Sequence, residues 1–265
     1  MNVYRKELAM MRTSLLWWCA GFVVMLGVFM SIYPAFSQDA ETSRELIARF
    51  PEALRTTLDI NLSTFLTFVG FYAYLFTFIM LAGAIQATNV GLSLLSKEVE
   101  AKTVDFLLTK PISRTKVFVS KLAAGVTGML VTSAVLTTTA FVGAELSGAE
   151  YSLDVFLLVN LSFFLLQLVF MSFGMLVSQL LGRVRSVISL SLGMTFAFFV
   201  VSLIASFTGD EKYRYLTPFQ FFDWQKLVRE GAYSPESYWL VAGSCIVAIV
   251  VSYMIYARRD ARAVS

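Results

Sequence analysis

Long apolar stretches separated by short polar segments dominate this sequence. The hydrocarbon core of a bilayer is about 30 Å thick, and an α-helix crosses it with about 20 apolar residues. Six stretches reach that length, and they lie at residues 14–33, 62–92, 117–143, 153–181, 187–207 and 238–256. The pattern predicts an all-α integral membrane protein, with six transmembrane helices in one domain over residues 1–265.

The polar segments between the stretches predict shorter elements. Residues 1–13 suit an amphipathic helix on the membrane surface, although they can equally be the end of the first span. Residues 34–61 and 208–237 join spans on one side, and we expect short amphipathic or re-entrant helices in both. For the aromatic part, 212–231, a belt at the headgroup boundary is an equal alternative. Residues 93–116 join the second and third spans on the other side.

This last segment holds the clearest helix signal outside the spans. Val104, Leu107 and Leu108 fall on one face of a helix. Pro111 disfavours helical geometry at the residue before it, and Ser113 is placed to cap the next helix. The pattern predicts a short helix with one apolar face and a charged rim, which suits a groove on a soluble partner. The alternative is a basic loop that only sets the orientation.

The distribution of basic residues predicts the orientation. Six spans place both termini on one side of the membrane. That side, with the segment 97–121 and the turn 182–186, carries 14 Lys and Arg, whereas the opposite side carries 7. Because cytoplasmic loops are enriched in Lys and Arg, we expect both termini to be cytoplasmic, in the inner (plasma) membrane of the cell.

Composition narrows the chemistry. The sequence is 57% hydrophobic and only 15% charged, whereas soluble domains are about 25% charged. It contains no histidine, which removes Ser-His and Cys-His nucleophile pairs and His-ligated zinc. Cys19 and Cys245 lie inside apolar stretches and are predicted to be small buried residues. No phosphate-binding G-x-x-x-x-G-K-[ST] motif occurs.

Polar residues within the spans are neutral near the span centres, which argues against a proton-coupled carrier. We predict that most of them form hydrogen bonds between or within helices, and these residues are Gln86, Asn89, Thr132, Ser133, Thr137, Thr138, Thr139, Gln167, Gln179, Ser191 and Thr195. Gly83, Ala87 and Gly91 recur at four-residue spacing and permit close approach of another helix, either from the fifth span or from a second copy.

The sequence SKEVEAKTVDFLLTKPISR at residues 96–114, followed by Lys121, resembles the loop between helices two and three of bacterial ABC-2-type transporter permeases. In that family a Glu, a Thr-aliphatic-acid triplet, a Leu pair and a Pro-Ile/Val-Ser-Arg run recur in this order. The segments YPAFSQDAETSRELIARFPEAL and YLTPFQFFDWQKLVREG are similar to further regions of the family, in collinear order. One departure is Lys102, where many relatives have Gly.

The resemblance implies the permease subunit of an ATP-binding cassette exporter. Two permeases, identical or paralogous, form the substrate pathway, and each docks a coupling helix into a separate ATPase subunit that carries ATP and Mg. By position, the docking residues are Glu98, Thr103, Asp105, Phe106, Leu107, Leu108, Pro111 and Arg114. Arg5, Lys6 and Glu7 fall in the family's amphipathic elbow helix.

In the family, spans two and five flank the dimer interface and the pathway. Gln86, Asn89 and Thr195 are therefore candidates for lining the pathway, and Gly83, Ala87 and Gly91 for packing beside it. We expect no catalytic residue, metal or cofactor on this chain. A pathway without fixed charge, rich in Phe and Met, favours amphipathic or apolar cargo.

Two alternatives remain open. The chain can be a membrane anchor or sensor that partners an ATPase without transporting anything. It can also be a membrane-embedded enzyme, but without histidine its chemistry would rest on lone hydroxyls such as those of Ser172 or Ser178.

Overall fold

Six long α-helices form the part of the chain that the computed structural model describes. That part covers residues 3–38, 67–100, 113–148, 150–181, 184–208, 215–222, 227–228 and 230–258, and it contains no strand. The helices are α1 (Val3–Gln38), α2 (Phe68–Glu100), α3 (Arg114–Ser147), α4 (Leu153–Leu181), α5 (Val187–Thr208) and α6 (Pro235–Arg258). Each is long and apolar enough to cross a membrane. The predicted all-α architecture with six spans is confirmed.

The helix bounds differ from the predicted spans mainly at one end of the bundle. α4 coincides with the predicted span 153–181, but α2 continues to Glu100 and α3 begins at Arg114. α1 runs without a break from Val3, so residues 3–13 continue directly into the first span as part of one helix, which agrees with the second interpretation of this segment. Residues 101–112, which hold most of the predicted coupling helix, and the outer segment 39–66 lie outside the described residues.

The two ends of α3 are fixed by local capping. Ser113 has extended backbone geometry, and its hydroxyl accepts a hydrogen bond from the Lys116 N–H at 3.3 Å, which confirms the predicted N-cap. At the other end Gly148 has φ +61°, a left-handed conformation that favours glycine, and its N–H donates to the Glu145 carbonyl. α3 therefore has a defined start next to the segment 101–112.

The bundle is centred on the contact between α2 and α4. A Cβ atom built on Gly91 would lie 2.1 Å from the carbonyl oxygen of Met171. One built on Gly174 would lie 2.6 Å from the carbonyl oxygen of Thr88. Because both neighbours are backbone atoms, the two helices can approach this closely only with glycine at both positions.

The small-residue strip predicted on α2 faces this same contact. A Cβ atom on Gly83 would lie 2.2 Å from the ring of Phe163 in α4, and Ala87 is fully buried. Together with Gly91, these residues pack against α4 of the same chain. The partner of the strip is thus the fourth span, which the sequence had not indicated.

The other helices surround this pair. α1 packs on α3, α6 packs on α4, and α5 packs on α2. Large apolar side chains point outward from them, including Leu16 and Trp17 of α1 and Trp239 of α6, which are 69%, 76% and 79% exposed. Hydrocarbon solvates such faces without cost, so the exposed apolar surface is consistent with a lipid environment.

A short 3-10 helix, Pro218–Gln220, reaches down along α5. The Thr217 hydroxyl donates to the Phe198 carbonyl at 2.9 Å, and the Gln220 amide donates to the Ser202 hydroxyl at 3.1 Å. Phe198 lies ten residues before the end of α5, which at about 1.5 Å per residue places Thr217 roughly 15 Å below that end. This depth favours the re-entrant interpretation of the segment over an aromatic belt.

Tyr233 anchors the chain where it returns to α6. Its hydroxyl donates to the carbonyl of Leu158 in α4, and its ring lies 5.3 Å from that of Phe222. Burial, and secondarily the neighbouring Tyr238, raises the pKa of the Tyr233 phenol. The hydroxyl therefore keeps its proton and remains a donor at physiological pH.

Replacing Gly91 with alanine should separate α2 from α4. The new methyl group would meet the Met171 carbonyl, and such overpacking costs about 1–3 kcal/mol. Gly243→Ala in α6 is the matched control, because a Cβ atom added there would meet no atom within 4 Å and the helix propensity of alanine is higher. Thermal unfolding in detergent should show a lower midpoint for Gly91→Ala alone, and equal midpoints would contradict the close contact.

Candidate functional site

A buried ion pair joins three helices at the end of the bundle where α1 begins. The Lys121 ammonium of α3 lies 2.9 Å from Glu7 Oε1 of α1 and donates to the Leu94 carbonyl of α2 at 2.6 Å. The two side chains are only 2% and 9% exposed. A buried charge costs several kcal/mol when it has no partner, so each residue of the pair requires the other.

This pair could not be predicted from sequence, because Lys121 was counted with the basic segment 97–121 although it also falls in the predicted span 117–143. In the structure Lys121 lies inside α3, two turns after its start. A signal was present in the sequence. Glu7 is the only acidic residue before Asp39, and Lys121 is the only charged residue between Lys116 and Glu145. Two isolated, opposite charges in apolar surroundings indicate a pair, although sequence alone does not match them.

The bundle centre contains a neutral hydrogen-bond network. Gln167 Nε2 of α4 donates to Gln86 Oε1 of α2 at 3.0 Å and to Thr132 Oγ1 of α3 at 3.3 Å. All three residues are fully buried. The predicted hydrogen bonds between helices are therefore present here. Among the described residues, Gln86 Nε2 and Gln167 Oε1 have no hydrogen-bond partner, so the network has capacity for one more polar group, such as a water.

A second polar contact connects α5 to the core. Thr195 Oγ1 lies 3.2 Å from Thr88 Oγ1, which also donates to the Ala84 carbonyl within α2 at 2.8 Å. Thr195 is fully buried and faces α2 of its own chain. Threonine pairs of this kind satisfy their hydroxyls without introducing charge, and they hold neighbouring spans in register.

The predicted pathway residues thus occupy two different environments. Gln86 of α2 is buried against α4, and Thr195 of α5 is buried against α2. Asn89 is half-buried and lines a cavity between α1 and α2 instead. The structure contains one chain, so the lining of a pathway by these residues stays a prediction.

The predicted docking residues lie at or beyond the ends of α2 and α3. Glu98 is in the last turn of α2. Arg114 opens α3, and its Nη1 donates to the Ala257 carbonyl at the end of α6 at 3.1 Å, while Thr115 and Tyr253 share a hydrogen bond of 2.8 Å beside it. The remaining docking residues lie outside the described residues, and they are Thr103, Asp105, Phe106, Leu107, Leu108 and Pro111.

Membrane-length helices with neutral polar contacts at their centre and one ion pair at their end define a polytopic α-helical membrane protein. The sequence profile of the ABC-2 family transporter proteins matches residues 1–261, and the chain belongs to this family. No curated protein matches the chain. Its membership of the family and its six apolar helices make the chain a permease component of an ABC transporter and a multi-pass membrane protein. Such permeases are transport components and are not themselves catalytic.

Removing the cation of the ion pair should destabilise the bundle strongly. Lys121→Met leaves the Glu7 carboxylate buried and unpaired, and breaking a buried pair costs about 3–5 kcal/mol. The double variant Glu7→Gln, Lys121→Met should recover most of that loss, because neither charge remains. Lys116→Met is the control, an exposed lysine of the same helix, with an expected change within about 0.5 kcal/mol.

Unfolding in detergent of the unmodified chain, the single variants Glu7→Gln and Lys121→Met, and the double variant gives a double-mutant cycle. A coupling free energy near zero between positions 7 and 121 would contradict the importance of this contact.

Proposed function

We propose that the chain is the transmembrane subunit of an ATP-driven exporter, and that a separate ATPase subunit drives it through residues 97–112. The observation that carries the proposal is the arrangement of the helix ends that flank this segment. α2 continues to Glu100, past its predicted apolar end at residue 92, and α3 starts at a capped Ser113–Arg114 step. The docking segment is therefore attached to two defined helices and not to flexible chain.

The contacts around those ends provide a route for force. Lys121 holds the Leu94 carbonyl of α2 and the Glu7 carboxylate of α1, and Arg114 holds the end of α6. Displacement of the docking segment would move α2 and α3 together and would pull α1 and α6 with them. A segment attached through a single helix could bend without moving the bundle.

The partner follows from the sequence. The chain has no phosphate-binding loop motif, so ATP and Mg would bind on the ATPase subunit. The apolar face of Val104, Leu107 and Leu108 would enter a cleft of that subunit, with Glu98 and Asp105 at its rim. This division places hydrolysis on one polypeptide and movement on the other.

Two such chains, or this chain and a paralogue, would form the pathway. In the family, spans two and five flank the interface, and Gln86 of α2 and Thr195 of α5 are the candidates on those two spans. A pathway bordered by such residues and by aromatic side chains suits an amphipathic or apolar substrate better than a bare ion.

Charge reversal in the docking segment should separate the chain from its ATPase. We expect Glu98→Lys with Asp105→Lys to abolish co-purification with the proposed ATPase subunit, since both changes place a cation where an anion would meet the partner. Glu150→Lys is the control, an exposed charge reversal at the opposite end of the bundle. An ATPase that stays bound after deletion of residues 97–112 would contradict the proposal.

ATP-dependent flux in sealed vesicles would distinguish a transporter from a membrane sensor that partners an ATPase.

The proposed orientation places both termini and the α4–α5 turn in the cytoplasm. A cysteine at exposed position 185 should then be protected from an impermeant thiol reagent in intact cells, whereas one at exposed position 150 should react. Arg185→Cys and Glu150→Cys in a background without Cys19 and Cys245 provide the pair. Labelling at position 185 but not at position 150 would reverse the topology.

A further inference from the structure

A cavity of about 50 Å³ lies between α1 and α2 beside the buried ion pair. Its polar lining comes from Glu7, Ser14, Asn89 and Ser93, and its apolar lining includes Met10 and Leu15. One water needs about 10–15 Å³ of such space, so the cavity has room for about three to five oxygen-sized groups. Met10 is 47% exposed, and the cavity therefore opens to the surface of the chain.

The polar groups of this cavity have unused hydrogen-bonding capacity. Glu7 gives one carboxylate oxygen to Lys121, and within the described residues its second oxygen accepts no hydrogen bond. The side chains of Ser14, Asn89 and Ser93 likewise make no hydrogen bond to any residue that the structure describes. The Glu7 side chain is nine-tenths buried, and its second oxygen can accept a hydrogen bond from a group in the cavity.

The charges around the cavity select the kind of donor. Lys121 already neutralises Glu7, so a second ammonium group would be repelled by Lys121 at short range. A phosphate would be repelled by the free carboxylate oxygen. A neutral hydroxyl avoids both penalties, because it donates to Glu7 and exchanges hydrogen bonds with the Asn89 amide.

The exposed surface next to the cavity suits an alkyl chain. Trp17, which is 76% exposed, lies three residues after Ser14 and therefore one turn further along α1 on the neighbouring surface. A molecule with its head in the cavity could extend its chain along this apolar face into the surrounding hydrocarbon, where the chain stays in an apolar environment. Polar head and apolar tail would then both be satisfied.

We propose that this cavity binds the uncharged, hydroxyl-bearing head of a single-chain amphiphile, of the chemical class of a monoacylglycerol. The site lies within one chain and uses neither the docking segment nor a second copy. It depends on the membrane location of the chain and not on coupling to an ATPase, so either proposal can fail without the other. The amphiphile can be a bilayer component or a transported molecule, since both sources share this chemistry.

The test uses the full chain in phosphatidylcholine nanodiscs with a photoactivatable monoacylglycerol. We expect saturable labelling of peptides from residues 3–18 or 86–96. The unlabelled competitors share one acyl chain and carry a glycerol, a trimethylammonium or a phosphate head. We expect the glycerol competitor to displace the probe at a concentration at least about threefold lower than the other two require. Asn89→Leu should weaken binding roughly tenfold through loss of its hydrogen bonds. Ser93→Val is a second variant in case Asn89→Leu does not fold, and half-buried Thr137→Val of α3 is the matched control.

Each outcome decides the proposal. Preference for glycerol together with loss of binding in the cavity variants supports it. Equal competition by the three heads, preference for a charged head, labelling that does not saturate, or an unchanged affinity in both cavity variants overturns it. ATP-dependent release of the bound probe in the presence of the ATPase would identify a transported molecule, whereas retention would identify a lipid component of the bundle.

Discussion

The close approach of α2 and α4 is the constraint on which the rest of the bundle depends. Inside a membrane the hydrophobic effect does not drive helices together, so packing and hydrogen bonds must do so. Gly91 and Gly174 let the two backbones touch, and this contact brings Gln86 within reach of Gln167 and leaves Thr88 facing α5. Larger residues at the glycine positions would lengthen these hydrogen bonds as well as reduce the packing. Packing and polar contacts therefore stabilise the same geometry.

Charged side chains and neutral polar side chains lie at different levels of the bundle. The centre of the bundle uses amides and hydroxyls, whose burial costs less than that of an ion. The ion pair between Glu7 and Lys121 lies near the helix ends, where α1 begins and α2 leads into residues 101–112. At that level the pair fixes the relative position of three helices. As far as the structure describes it, the centre of the bundle thus has neutral polar contacts, and the ion pair lies beside the segment that leads into residues 101–112.

Much of this architecture could be predicted from sequence because membrane thickness dictates helix length. The six spans, the limits of α4 and the Ser113 cap all follow from local patterns. Which helix or side chain each of these segments contacts could not be predicted. The spacing of Gly83, Ala87 and Gly91 shows that one face of α2 is small, but it carries no information about which helix fills it. For the same reason the partner of Lys121 could not be predicted, since it lies more than a hundred residues away in sequence. The continuity of α1 could not be decided either, because a change from amphipathic to apolar composition neither requires nor excludes a break in the backbone.

The ion pair and the cavity beside it share one carboxylate, and this sharing connects stability to ligand binding. Glu7 uses one oxygen to hold α3 and has the second available towards α2. Apart from its packing on α3, α1 has limited contact with the bundle, so a molecule bound between α1 and α2 would add an interaction where few exist. A movement of α2 relative to α1 would change the width of this cavity, because Asn89, Ser93 and Leu94 lie on α2. Affinity for the amphiphile and the position of α2 are then linked thermodynamically: whatever favours one position of α2 must change binding, and binding must change that position to the same degree.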